Sequence, residues 1–331
     1  MRGVNLGGWL VLERWITPAV FEGLSAQDET AFCLESGKDK AARLSEHRRT
    51  FITEDDFRWM ASNNLNAVRI PLPHWLFGGV EPYIGGAEFL DKAMDWAGKY
   101  DLKVVLDIHT APGSQNGQSH SGLAGGINWH KDKKNIAGSL EFLTKLCQHY
   151  GQHQNLYGIE LLNEPKAWIT PRILRKYYKD GYDIVRGHCG DNTAVVISDY
   201  FAPWRWHKFM PAPQFKNVIR DTHLYQCHRT ADKKLSIKQH IQKADIEWKD
   251  LIDGMQTHTP VIVGEWSLAL VPETFSGMSH AEKKAELKAY SEAQITTFDK
   301  TTGWFYWTYK TEEANLWNFR YSLESGLIVL N

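Results

Sequence analysis

Two apolar, β-branched runs far apart in the chain, Gly158–Pro165 and Pro260–Trp266, stop at glutamates, Glu164 and Glu265. A carboxylate carried to the end of a buried strand loses hydration and is costly unless something there uses it. Either one alone reads equally well as a rim carboxylate in an ion pair. Two of them, brought to one rim of a sheet, suit the cleavage of an acetal C–O bond, with one group as proton donor and the other as nucleophile or base. Their separation decides the outcome. Carboxyl groups roughly 5–5.5 Å apart form a covalent intermediate and retain configuration, whereas roughly 6.5–9.5 Å admits a water and inverts it.

Other polar residues fall at the ends of similar runs. Arg69 precedes Ile70-Pro71, and a buried guanidinium there would keep a neighbouring carboxylate such as Glu265 ionised. Asn163 precedes Glu164-Pro165, where its amide could donate to a sugar hydroxyl or simply form a turn. His109 and His223 stand at strand ends as donors to hydroxyls or to the nucleophile, or as satisfied core histidines. Tyr225 is placed to hydrogen-bond Glu265, and Trp307 to floor the sugar site or to fill the barrel interior. The two histidines lack the close spacing of a zinc site, so no metal and no cofactor is expected. His47, His149 and His258 read as surface residues.

The elements that must carry these groups alternate. Strands are expected at Arg2–Leu6, Asn66–Pro71, Lys103–His109, Tyr157–Asn163, Ala194–Asp199, Asn217–Tyr225, Val261–Trp266 and Gly303–Tyr309. Helices are expected at Glu54–Ser62, Glu88–Lys99, Ile136–Tyr150, Pro171–Gly187, Ile237–Gly254 and Ala281–Phe298, with Pro171 a start and Gly187 a stop. Eight strands separated by helices predict a single α/β domain over residues 1–331, a (β/α)8 barrel with long loops at about 9–50 and 110–135. A doubly wound open sheet would want a glycine-rich phosphate turn, which Gly7-Gly8-Trp9 does not supply. In a barrel the reacting groups gather at the C-terminal strand ends, where these candidates lie.

Composition agrees with that size of core. Of 331 residues, 43% are hydrophobic, and the net charge of −1 points away from nucleic acid as a partner. Fourteen Trp, 13 Tyr and 14 Phe exceed what packing alone would use, and rings at strand ends can stack on sugars. Trp129, Trp168, Trp204 and Trp206 are candidates for such a platform. Four scattered cysteines suggest free thiols rather than a disulfide framework. No apolar run is long enough to span a membrane. No basic and apolar leader follows Met1, so a cytoplasmic location is expected. Oligomeric state is not readable.

The chain resembles glycoside hydrolase family 5, and within it the branch of fungal-type exo-β-1,3-glucanases. The resemblance rests on Arg2–Glu13, Val68-Arg69-Ile70-Pro71, Asp107–Gly117, Gly158–Pro165, His223-Leu224-Tyr225-Gln226, Gly264-Glu265-Trp266-Ser267 and Trp304–Glu312, in the family's order. It implies a retaining hydrolase of β-glucan oligosaccharides or β-glucosides, with Glu164 as acid/base and Glu265 as nucleophile. Arg69, His109, Asn163, His223, Tyr225 and Trp307 match the ring around the reacting sugar. Glu13 matches a residue that grips the non-reducing-end glucose, which implies exo action. Two stretches depart from that branch: Gln118-Ser119-His120 replaces a phenylalanine followed by Asp-Asn, and Cys227-His228 replaces a further phenylalanine. Both bear on the choice of aglycone. The alternatives are a β-glucosidase for another linkage or a lipid or phenolic aglycone, and a catalytically silent sugar-binding barrel. Glu164 is expected to be held protonated by the neighbouring charge and by partial burial.

Overall fold

Eight parallel strands of the computed structural model, which describes residues 1–330, pair in chain order and close into a barrel. They are β1 (Arg2–Asn5), β2 (Ala67–Leu72), β3 (Lys103–Ile108), β4 (Leu156–Glu160), β5 (Ala194–Ser198), β6 (Val218–Leu224), β7 (Val261–Trp266) and β8 (Gly303–Tyr306). The last strand pairs with the first, Gly3 standing opposite Phe305. Parallel strands covered on both faces read as largely apolar runs, and all eight lie within the expected strand regions to within a residue or two. Most stop short of the expected ends. Leu6, His109, Asn163, Asp199, Tyr225 and Trp307 all fall just past a strand, on the loops of one rim.

Along each strand alternate side chains point into the barrel. Ala67, Val105, Ala194, Val196, Ile219, Ile262 and Phe305 form a closed apolar plug there. Phe305 lies over its register partner Gly3 on the neighbouring strand, where an added Cβ would meet the ring at 2.5 Å. Two positions further along β2, β3 and β6 the inward residues change to Arg69, Asp107 and Asp221, all essentially buried. The barrel is therefore apolar below and charged above.

The outer layer starts with α1 (Glu29–Ser36), α2 (Lys40–Phe51), α3 (Glu54–Ser62), α4 (Ala87–Lys99), α5 (Lys133–Tyr150) and α6 (Pro171–Cys189). It continues with α7 (Ile237–Gln242), a π-helical stretch (Lys243–Trp248), α8 (Lys249–Gln256), α9 (His280–Phe298) and α10 (Phe319–Glu324). Local chemistry sets several starts: Thr53 with Asp56, Ser236 with Gln239 and Ser279 with Glu282 form capping boxes, and Pro171 opens α6.

Four expectations need correction. The segment 9–50 is not a plain loop but holds α1 and α2, tied to each other by the buried Glu29–Arg48 pair at 3.3 Å. Helix α6 runs through Gly187 and ends before Gly190, which takes φ 75. The helix expected over Ile237–Gly254 widens at its centre into the π-helical stretch. His47 is buried, its Nε2 lying 2.8 Å from the Gly8 carbonyl, and burial lowers its pKa to about 4.

Candidate active site

Arg69 organises the upper barrel. Its guanidinium donates to Asn5 Oδ1 (2.8 Å), Glu160 Oε2 (2.9 Å), Asn163 Oδ1 (3.0 Å) and Glu265 Oε1 (3.3 Å), and lies 3.1 Å from Asp107 and 3.9 Å from Asp221. Burial opposes its charge, but Asp107, Glu160, Glu265 and Asp221 together hold the pKa well above the ordinary arginine value. Burial pushes the Glu160 carboxyl well up against the pull of Arg69, with Asp221 and Asp107 adding to the rise.

Asp107 and His109 lie two apart at the end of β3, and Asp221 and His223 repeat that spacing on β6. The period of two puts each pair on the inner face. Asp107 Oδ2 is 2.6 Å from His109 Nδ1, and Asp221 Oδ2 is 3.3 Å from His223 Nε2. Asp221 Oδ1 also accepts the Gly264 N–H at 2.7 Å. No side chain fits at 264, since a Cβ there would stand 2.0 Å from Asp221 Oδ2. A register shift after Thr222 on β6 then sets His223 opposite Glu265.

Glu164 and Glu265 meet across the mouth. One carboxylate oxygen from each and a ring nitrogen of His223 all lie within 4.8 Å of one another. Tyr225 donates its hydroxyl to Glu265 Oε2 at 2.7 Å, as expected, and Arg69 donates to Oε1. Glu164 occupies a left-handed backbone conformation at φ 40, which costs a non-glycine residue on the order of 1–3 kcal/mol. Gln115 braces it, donating from Nε2 to the Asn163 carbonyl (3.0 Å) and accepting the Lys166 N–H (3.1 Å).

The protonation pattern reverses the expectation for Glu164. Burial would raise its pKa, but His223 Nδ1 lies 2.6 Å from Oε1 and holds the carboxyl down at about 2. Burial and the Glu164 charge push Glu265 up, while His223 and Arg69 pull the other way. Burial disfavours a charged His223, yet Glu265, Asp221 and Glu164 raise it well above the usual histidine value. The sequence could not show this, because it depends on a contact between β6 and the loop after β4. Chemically the acid survives as a pair: a proton moving from Nδ1 to Oε1 converts imidazolium and carboxylate into imidazole and carboxylic acid without moving net charge.

The remaining expected residues are also here. Trp307 is buried and stacks on His109, with centroids 5.4 Å apart and planes 8° from parallel. Glu13 is buried with Oε2 accepting from Trp15 Nε1 at 3.0 Å, and burial raises its pKa to about 7. Among these residues, Glu13 Oε1, His109 Nε2 and Asn163 Nδ2 are buried polar atoms without a partner within the protein.

Several neighbours were missed. Asn5, Glu160 and Asp221 join the Arg69 network, and the two-residue spacing Asp221/His223 was a readable signal. Trp15 meets Trp317 edge-on at 5.4 Å, and Trp317 in turn lies against Tyr225 and His228. Phe201, at φ 61, turns its ring edge-on to His223. Of the four platform candidates, Trp129 and Trp206 are core residues packed on Tyr177 and Tyr178, while Trp168 and Trp204 are 73% and 65% exposed on the rim loops. Two donor sets, Glu160/Asp221/His223 and Glu164/His223/Glu265, have cation-holding spacing, and the Arg69 guanidinium already stands among the first.

The sequence matches the description Cellulase (glycosyl hydrolase family 5) over residues 33–313. The chain belongs to glycoside hydrolase family 5. Among family relatives, a glucan 1,3-beta-glucosidase of Blumeria graminis is 37% identical, covering 99% of this chain and 86% of its own. A probable glucan 1,3-beta-glucosidase A of Aspergillus niger is 35% identical with the same coverage. These alignments, of 374 and 367 positions, exceed the 331 residues of the chain, so the relatives carry insertions that it lacks. The crystal structure of AoRut superposes with a TM-score of 0.83 at 26% identity, covering 99% of this chain and 96% of that one. A rutinosidase from Aspergillus niger shares the fold at 22% identity, with a TM-score of 0.84 and coverage of 98% and 97%.

Proposed function

We propose that this family 5 glycosidase is an exo-acting β-1,3-glucosidase that releases glucose from the non-reducing end by double displacement. The observation that carries the mechanism is the approach of Glu164 to Glu265 within 4.8 Å. So close an approach of the two carboxylates favours the short spacing of a retaining pair over the wider one that seats a water for inversion. Glu265, oriented by Tyr225 and Arg69, attacks the anomeric carbon and forms a glycosyl ester. Glu164, taking its proton from His223, protonates the departing oxygen. Esterification removes the Glu265 charge, and Glu164 then accepts a proton from water as the ester is hydrolysed.

Linkage and exo action draw support from the relatives' names and from Glu13. Its buried carboxyl, ringed by Trp15 and by the charges of His109, Glu265 and Glu164, suits the hydroxyls of a terminal sugar. Asn163 Nδ2 and His109 Nε2 supply further donors or acceptors to the same sugar, and Trp307 its apolar floor.

The test is product analysis on β-1,3-, β-1,4- and β-1,6-linked glucose oligomers, with proton NMR of the first anomer released. β-Glucose appearing singly, fastest from the β-1,3 series, is expected. α-Glucose first would refute retention, and internal fragments would refute exo action. A 2-fluoroglucoside should label Glu265, and labelling elsewhere would reassign the nucleophile.

A further inference from the structure

Glu164 shows its two oxygens to two different histidines. Oε1 is engaged by His223, whereas Oε2 faces Nε2 of His120 at 3.6 Å, too far for a direct hydrogen bond. His120 sits in the middle of the short turn Ser119–Ser121, within the stretch where the sequence departs from the resembling branch. The turn is fixed. Ser121 Oγ donates to the Gln118 carbonyl (2.7 Å) and pairs with Ser114 Oγ (2.7 Å). Gly122 closes it at φ 79, so tight against Trp75 that a Cβ would meet the indole at 2.3 Å. The His120 ring also leans on His109 with centroids 5.3 Å apart. Burial lowers its pKa to about 4, against the pull of Glu164, with His109, His223 and Lys166 adding to the drop. The ring is therefore neutral in weakly acid and neutral solution, with one nitrogen a donor and the other an acceptor.

With Oε1 taken up in the proton exchange with His223, Oε2 is the oxygen left to meet a group on the leaving side of the substrate. An oxygen at roughly 2.8 Å from both Oε2 and His120 Nε2 completes a triangle on the 3.6 Å side. We propose that His120 is the specificity-determining residue for the leaving side of the substrate, its ring bracketing, with Glu164 Oε2, a hydroxyl-bearing sugar aglycone. An aromatic plate would accept any flat apolar face. A fixed imidazole instead gains from a hydroxyl next to the scissile bond and is left unpaired, half-buried, by an aglycone without one. Sites that discriminate through a polar partner in this way favour the hydroxylated substrate by about ten- to a hundredfold for a single neutral group. This proposal rests on the β-glucoside reading above and names the class of aglycone.

The experiment measures kcat/KM of the full chain for a β-1,3-linked glucose disaccharide and for phenyl β-glucoside, in wild type, His120→Phe and His120→Gln. The expected result is a disaccharide-to-phenyl ratio that drops at least tenfold in His120→Phe and is largely restored in His120→Gln, which keeps a donor. Equal loss on both substrates in His120→Phe would reduce His120 to a structural part. An unchanged or increased ratio would also overturn the proposal, while leaving the glucosidase reading standing. Failure of the wild type on every β-glucoside would overturn both. Should His120→Phe not fold, as judged by its circular dichroism, the ratio for His120→Gln against His120→Ala decides: equality of the two refutes.

Discussion

Tyr225→Phe removes one hydrogen bond from a buried carboxylate and leaves the ring against Trp317 and His228 in place. The 2.7 Å bond from the phenol to Glu265 Oε2 is charge-assisted, a class worth about 1.5–3 kcal/mol. Each pKa unit corresponds to about 1.4 kcal/mol, so the change amounts to about one to two units. The phenol stabilises the ionised form, and its loss favours the proton. Glu265, already pushed up by burial, should rise further. Because kcat/KM reports the free enzyme, its acid limb should move to higher pH by about one to two units. The assay is kcat/KM on an aryl β-glucoside across the acid range. A limb that stays in place or moves to lower pH refutes the assignment of Glu265 as the ionised nucleophile supported by Tyr225.

Glu13 gives a stability test. Its folded pKa of about 7 lies above that of an unfolded glutamate, so folding disfavours its charge and this cost appears as pH rises from roughly 4.5 to about 7. Glu13→Gln, which keeps an acceptor for Trp15, should therefore melt higher than wild type at pH 8, by an amount on the order of 3 kcal/mol, and equally at pH 4. No gain in melting temperature at pH 8 would count against it. Gly264→Ala should lose about 2–4 kcal/mol in denaturant titration, because its Cβ and Asp221 Oδ2 cannot share one place. Arg69→Met leaves Glu160 without its cation and takes one from Asp107, Asp221 and Glu265, which should cost about 3–5 kcal/mol, and a calorimetric loss below about 1 kcal/mol would show the network to be dispensable.

The barrel was legible because parallel strands buried on both faces leave largely apolar runs, and Glu164, Glu265, His223 and Trp307 were legible because each lies at or just past the end of one, Arg69 because it stands just before Ile70-Pro71. Asn5 and Glu160 were hidden inside the runs, where a polar residue looks like a flaw in the pattern rather than a second layer, and Asp221 was marked only by its two-residue spacing to His223. Trp15, Phe201 and Trp317 come from loops whose paths are set by distant contacts, such as the Thr308 N–H bonding the Trp317 carbonyl at 2.7 Å. The low pKa of Glu164 has the same origin, since no local pattern announces that His223 will reach it.

The layering of apolar plug beneath charged ring bears on how the barrel closes. Arg69 comes from β2, while its anionic partners come from β3, β4, β6 and β7, so a single guanidinium ties five strands. Side chains alternate with a period of two, and a strand paired one residue out of register would swing Asp107, Glu160 or Asp221 outward into the greasy seam beneath the helices. A carboxylate stranded there costs several kcal/mol, more than the pairing of a short strand can recover. The charges of the proposed site thus also act as a registration key, disfavouring misaligned barrels during folding.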